Sequence, residues 1–322
     1  MFDKIRVTLL ATAMLCASIS SSQALDYPNK VVRIIVPYAP GGSAGAQARA
    51  LAEQLSKLWK QQVIIEDKPG AGTTIGATFV ASSAPDGYTL YLAGTSHTIT
   101  PSLYSNLKYD AVKSFSPISR LATSPFILVV NPSIGVSSVA EFLALARSKP
   151  GKLNYSTSGI GAGPHLSAEM MIAATKIDVQ HVPFRGSAPA VTALLGGVTE
   201  FGLGDVSVMP SVKAGLIKAL AVTTAERFSQ LPDVPTYGET IGKGLEVTNW
   251  SAMLAPADTP VEIVTFINRS IATALQSSEL KNAYEAQGFD PAPSSPEDLA
   301  AFMTSEVTKY RQIIERSGIK TQ

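Results

Sequence analysis

Small hydroxyl residues recur at one kind of place along this chain. Ser43, Thr73, Ser96, Thr157 and Ser158 each follow a short apolar run and stand in or beside a turn of small residues. Such turns leave backbone N–H groups bare, and a helix beginning there adds the positive end of its dipole. The chemistry this favours is capture of a small anion. The clearest case is Pro37-Tyr38-Ala39-Pro40-Gly41-Gly42-Ser43-Ala44-Gly45, between the β-branched run Val31–Val36 and a helical stretch from Ala46 to Leu58. One helix N-terminus is worth about 0.3–1 kcal/mol to an anion. Micromolar affinity needs about 8 kcal/mol, so hydroxyls, waters and apolar contacts must supply most of it.

The same stretch fits a second chemistry. Gly41-Gly42-Ser43-Ala44-Gly45 satisfies the G-x-S-x-G pattern of a serine-hydrolase elbow, and His97, His165 and His181 lie downstream. Against it, this is the first strand after the N-terminal segment, so no earlier strand supplies the second oxyanion donor, and there is no HGGG-type loop. An exported serine hydrolase using Ser43 stands as the alternative. Ser43→Ala would abolish an esterase's turnover but only alter a receptor's binding.

Other side chains each have a chemical and a structural reading. Arg185 either grips a carboxylate with parallel N–H bonds or pairs on the surface. Asp205 accepts from a ligand hydroxyl or caps the next helix. Tyr38 closes over a ligand or packs between lobes. His97 is open to both readings, and His165 reads as structural. Three scattered histidines with no cysteine beyond Cys16 make no metal site, no cofactor is implied, and no phosphate-binding G-x-x-x-x-G-K-[ST] occurs. The 26 basic and 25 acidic residues balance, which argues against a nucleic-acid partner.

The elements that must position these groups alternate. Strands are expected at 31–36, 63–66, 89–93, 126–130, 153–155, 179–182, 201–205 and 247–254. Helices are expected at 46–58, 75–82, 139–147, 166–174, 189–195, 261–276, 280–287 and 296–317. Such alternation predicts α/β architecture with mainly parallel sheets flanked by helices, and ligands beyond the strand ends. Residues 1–24 read as a signal peptide: Lys4 and Arg6, an apolar Val7–Ala17, then Ser22-Gln23-Ala24. The exported chain would then be soluble and free of cysteine, held by the ordinary core that about 300 residues supply. Segment 123–225 carries its own strands and glycine turns. It reads as a second lobe inserted into a first made of 25–122 and 226–322, with hinges near Thr123 and Thr223.

The segment order resembles the extracytoplasmic receptors of tripartite tricarboxylate transporters, the Bug-type solute-binding proteins. The matching stretches include Val36-Pro37-Tyr38-Ala39-Pro40-Gly41-Gly42, Pro69-Gly70-Ala71-Gly72, Pro85-Asp86-Gly87-Tyr88, Gly163-Pro164-His165-Leu166, Val182-Pro183-Phe184-Arg185-Gly186-Ser187-Ala188 and Leu231-Pro232-Asp233-Val234-Pro235. The resemblance implies a two-lobed type II periplasmic-binding fold with a ligand cleft between the lobes. It also implies a monomeric periplasmic receptor that hands a small organic acid to a two-component membrane permease. A sensor subunit reporting to a signalling partner would use the same cleft. The expected ligand-binding set is Tyr38, Pro40, Gly41, Gly42, Ser43, Ala44, Thr73, Ser96, His97, Thr157, Ser158, Gly159, Gly163, Arg185, Gly186 and Asp205. Gly45 stands where the family usually carries an acidic residue, which points to a plain carboxylate rather than an amino acid.

Overall fold

The computed structural model describes residues 26–317. The signal segment expected over 1–24, with Cys16, lies outside them. Among the described residues no helix is long and apolar enough to cross a membrane. In chain order the main elements are β1 Val32–Val36, α1 Ser43–Trp59, β2 Val63–Asp67, α2 Thr74–Ala81, β3 Thr89–Gly94, α3 Thr95–Ile99, β4 Phe115–Pro125 and β5 Ile127–Val130. There follow α4 Val139–Ser148, β6 Asn154–Thr157, α5 Gly163–Thr175, β7 Gln180–Pro183, α6 Ser187–Leu195, β8 Phe201–Gly204, α7 Met209–Lys213 and β9 Lys218–Val222. The chain ends with α8 Tyr237–Thr240, β10 Thr248–Pro256, α9 Val261–Gln276, α10 Ser278–Ala286, β11 Asp290–Pro291 and α11 Pro296–Ser317.

The strands form two sheets, ordered β11-β4-β10-β3-β1-β2 and β7-β6-β8-β5-β9. Each is half parallel. In the first, β1 runs parallel to β2 and β3, while β10 is antiparallel to β3 and β4. In the second, β6 runs parallel to β7 and β8, and β5 is antiparallel to β8 and β9. The expected parallel pairing therefore holds for the strands that feed the glycine turns. The antiparallel halves are built by β4, β5, β9 and β10, the strands next to the crossings between sheets. Strands β4 and β9 were not foreseen from sequence.

Helix α1 lies on the first sheet through Ala48, Leu51, Ala52, Leu55 and Trp59, all buried. Leu58 is 46% exposed, and Trp59 takes the inward place beside it. Helix α9 packs on the sheet's same side through Val264, Ile267, Ile271 and Leu275. A fully buried side chain of this size stabilises by about 1.5–3 kcal/mol. The second sheet has its own core around Phe142, Tyr155, Phe201 and Leu220, and Tyr237 of α8 belongs to it.

A hydrogen-bonded node marks where the chain passes between the sheets. Phe126 N donates to Thr223 Oγ1 at 3.0 Å, and Thr223 Oγ1 donates to Val247 O at 2.6 Å. The backbones close the node: Thr223 N donates to Phe126 O and Val247 N to Thr223 O, each at 3.0 Å. Phe126 and Val247 also pack with Leu166, Met170 and Tyr310, so the C-terminal helix spans from one sheet to the other.

Candidate functional site

Five helices begin at the gap between the two sheets. The N-cap residues of α1, α2, α3, α5 and α6 are Gly42, Thr73, Gly94, Ala162 and Gly186, and none caps its helix with a side chain. Elsewhere α4, α8 and α10 are capped by Ser138, Thr236 and Ser277, while α7 and α9 start after Val208 and Pro260, also without a side-chain cap. The five N-cap residues at the gap all line one cleft. Bare N–H groups from both sheets thus border one space, with positive dipole ends beside it.

The cleft has two chambers that share Tyr38, Ser96 and Ser158. The outer one, about 330 Å³, is lined by the 69–73 turn, Ser158–Ile160 and Phe184–Gly186. The inner one, about 50 Å³, is lined by Gly42–Ala44, Gln47, Gly94–Ser96, Phe126, Ser187, Asp205, Asn249–Ser251 and Phe289. Arg185 is the one cation and Asp205 the one anion on these walls. Among the described residues Arg185 forms no ion pair, and its side chain is exposed.

Asp205 is fully engaged. Ser43 Oγ and Ser187 Oγ each donate to its Oδ2 at 2.6 Å, and Ser207 N donates to its Oδ1 at 2.9 Å. It therefore caps the short helical turn Val206–Val208 and ties the two sheets together. Tyr38 OH donates to Ser96 Oγ at 3.1 Å. Burial pushes the Tyr38 hydroxyl up to about 12; the Ser96 bond opposes this and the Asp205 charge adds to it. Tyr38 therefore stays a neutral donor.

Backbone approaches keep the cleft narrow. Gly72 is left-handed (φ +59°), and a Cβ there would lie 2.8 Å from Ile160 O and from Tyr104 OH. A Cβ on Gly163 would overlap the Phe126 ring.

Of the residues expected at the site, Tyr38, Gly42, Ser43, Ala44, Thr73, Ser96, Ser158, Gly159, Gly163, Arg185, Gly186 and Asp205 line the chambers. Pro40 and Gly41 sit exposed at the rim. Thr157 lies behind its turn, its Oγ1 at 2.7 Å from His181 Nε2. His97 is a correction: it is fully buried among Tyr91, Tyr109 and Phe115, with Nε2 at 2.8 Å from Ala111 O. His97 lies in helix α3, whose turn carries it away from the cleft. Helices α1 and α5 also start earlier than expected, at Ser43 and Gly163, so the anion-facing N–H groups belong to true helix ends.

Sequence reasoning missed Gln47, Ser187, Asn249, Ser251, Phe126 and Phe289. Ser187 was within reach, since it opens α6 as Ser43 opens α1. Gln47 left a trace too: it is a long polar residue on the face of α1 that otherwise carries Ala48, Leu51 and Leu55. The β10 and Phe289 contributions come from distant segments and leave no local signal.

The hydroxyl of Ser43 is directed to a carboxylate and not to a histidine. His165 and His181 stack on each other, centroids 4.4 Å apart, inside the second lobe. Among the described residues no group of three His, Cys, Asp or Glu side chains is placed to hold a metal ion.

The fold and cleft define a two-lobed periplasmic-type solute-binding receptor. The family model described as tripartite tricarboxylate transporter family receptor matches residues 47–319, and the chain belongs to that family. It is 32% identical over 314 residues to protein BugT of Bordetella pertussis, covering 97% of this chain and 95% of that one. Its fold is similar to the periplasmic binding protein BugD (TM-score 0.89, 31% identity, 92% of this chain and 100% of that one). It is equally similar to R. palustris Rpa4515 with adipate (TM-score 0.89, 32% identity, 92% and 100%).

Proposed function

We propose that this chain is an exported receptor that captures a small organic carboxylate in the inter-lobe cleft and performs no chemistry on it. The observation that carries the reading is the convergence of five uncapped helix N-termini, three from one lobe and two from the other, on one crevice. Arg185 on the outer wall adds a cation suited to a carboxylate. Capture of adipate by a relative of the same fold supports the ligand class. Family membership supports delivery to a two-component permease, with the receptor acting as a periplasmic monomer after loss of its signal segment. The lobes divide at the Phe126–Thr223–Val247 node, so that 126–247 moves as one body and the rest as the other. Ser43 serves as a hydrogen-bond donor, which leaves the hydrolase reading without a base.

The test is a titration of the chain from residue 25 onward with a panel of mono- and dicarboxylates, read by calorimetry and thermal unfolding. A true ligand at a hundred times its Kd adds about 2.7 kcal/mol of stability. Arg185→Gln should weaken that ligand about tenfold. If no acid in the panel binds, the carboxylate reading is wrong.

A further inference from the structure

The inner chamber holds polar atoms that the fold leaves unmet. Gln47 is 1% exposed, yet its Nε2 has no acceptor among the described residues. Ser251 Oγ, on β10, is also buried without a partner. Both residues line the same chamber. Burying an amide without a hydrogen bond is costly, and a position that only had to pack against β10 would be better filled by Leu or Met. Trp250, which lines the chamber too, has its Nε1 likewise buried without a partner; several such atoms around one chamber are what a site built for an absent partner looks like.

The other walls define that partner. Leu92, Phe126 and Phe289 give the chamber apolar sides. Its volume of about 50 Å³ fits the equivalent of roughly three to five waters, the size of a terminal group. At the far end of the cleft stand Arg185 and Thr73, whose Oγ1 is likewise buried and unpartnered. A ligand satisfying both ends carries its carboxylate at the outer turns and a further polar atom at the inner end. Gln47 Nε2 can only donate, so the group it meets is an acceptor. The charge of Asp205 lies in the same chamber but is already shared among three donors.

We propose that Gln47 and Ser251 form the specificity-determining inner end of the site and read an oxygen acceptor on the ligand's second terminus. This rests on the receptor reading above. The acceptor is either a neutral oxygen or a second carboxylate, and the assay separates them.

The experiment uses matched sets of increasing length: butyrate, hydroxybutyrate and succinate; hexanoate, ω-hydroxyhexanoate and adipate; octanoate, ω-hydroxyoctanoate and suberate. Calorimetry gives the affinity of each for the wild-type chain, Gln47→Met and Ser251→Ala. In the best-binding set, the hydroxy acid or the diacid should bind about tenfold tighter than the plain acid, about the worth of one well-made hydrogen bond. Whichever of the two wins names the acceptor. Gln47→Met should erase most of that preference, while the unliganded variant unfolds at the same temperature or higher. A glutamine that merely packed would not give that split. Equal binding of all three acids by the wild type, or an unchanged ranking in Gln47→Met, overturns the inference and leaves the receptor reading standing. If no set binds at all, the receptor reading itself falls, and this inference with it.

Discussion

Ser43 Oγ donates to Asp205 Oδ2 across the cleft at 2.6 Å, joining positions 162 residues apart in the chain. Ser187, on Asp205's own lobe, donates to the same oxygen at 2.6 Å. One carboxylate thus bonds the first residues of two helices that face each other. Only the Ser43 bond crosses between lobes, so its removal acts on closure more than on folding. A hydrogen bond to a charged group contributes about 1.5–3 kcal/mol when well shielded. Ser43→Ala should therefore weaken ligand binding at least about tenfold. The radius of gyration of the liganded variant by scattering should stay nearer that of its open form. Wild-type affinity in this variant would remove Ser43 from the closing contacts.

Thr223 makes a different kind of link. It accepts from Phe126 N and donates to Val247 O, at the place where the chain passes between sheets. Thr223 is fully buried, so no water can replace it. Thr223→Val keeps the shape but leaves a buried N–H without a partner, at a cost of about 1–3 kcal/mol. Thr223→Ser keeps both bonds. The urea midpoint should drop clearly for the valine variant and little for the serine one. Equal midpoints for the two would show that the hydroxyl is dispensable at the crossing.

Much of this architecture could be read before any coordinates. The runs at 32–36, 63–66 and 89–93 announce strands because apolar β-branched residues lie between turn residues. The glycine turns announce helix starts. Strand β4 stayed hidden because Phe115–Pro125 carries two prolines, an arginine and three serines, and gains its strand character from pairing with β10. Helix α1 was begun too late because Gly42 and Gly45 look like turn residues. In space Gly42 lets the helix end approach the other lobe, its Cβ position 3.8 Å from Ser187 Cβ. His97 carried the right chemistry in the wrong place, because the ring faces of Tyr109 and Phe115 claim it. The inner wall was illegible for a plainer reason: Gln47 and Ser251 meet only after β10 has returned beside β3.

Gly72 tests closure from the opposite rim. Its left-handed conformation costs alanine about 1–2 kcal/mol. The added Cβ would also meet Tyr104 OH, a side-chain end on its own lobe that can swing aside, and would press on Ile160 O, a backbone atom of the other lobe that cannot. The first cost falls on folding and the second only on the closed form. Gly72→Ala should therefore lower unfolding stability by about 1–2 kcal/mol but reduce ligand affinity by more than tenfold. Chemical denaturation and calorimetry on one preparation separate the two effects. A loss of stability with normal affinity would mean that Gly72 does not lie at a closing contact.

The histidines set how the fold responds to acid. Burial lowers His97 to about 4, against opposing pulls from the Ala111 carbonyl and Asp110. Burial, with the neighbouring His165, lowers His181 to about 3. Burial also lowers His165, partly offset by Glu169. The geometry agrees, because His165 Nδ1 accepts from Gly161 N at 3.3 Å and must be unprotonated to do so. The unfolded chain would bind protons at these residues near pH 6.5, while in the folded chain His97 resists until about pH 4, His181 until about pH 3, and His165 also takes its proton below its ordinary range. Below pH 6.5 the unfolded state therefore holds more protons, and stability falls as pH falls. Each such group contributes a slope approaching about 1.4 kcal/mol per pH unit. Between pH 6.5 and 5 most carboxylates remain ionised, so this window isolates the histidines. Urea midpoints should decline across it, and His97→Gln should flatten the decline by about one group's share. A stability profile level from pH 7 to 5 would contradict the neutral, buried state assigned to all three rings.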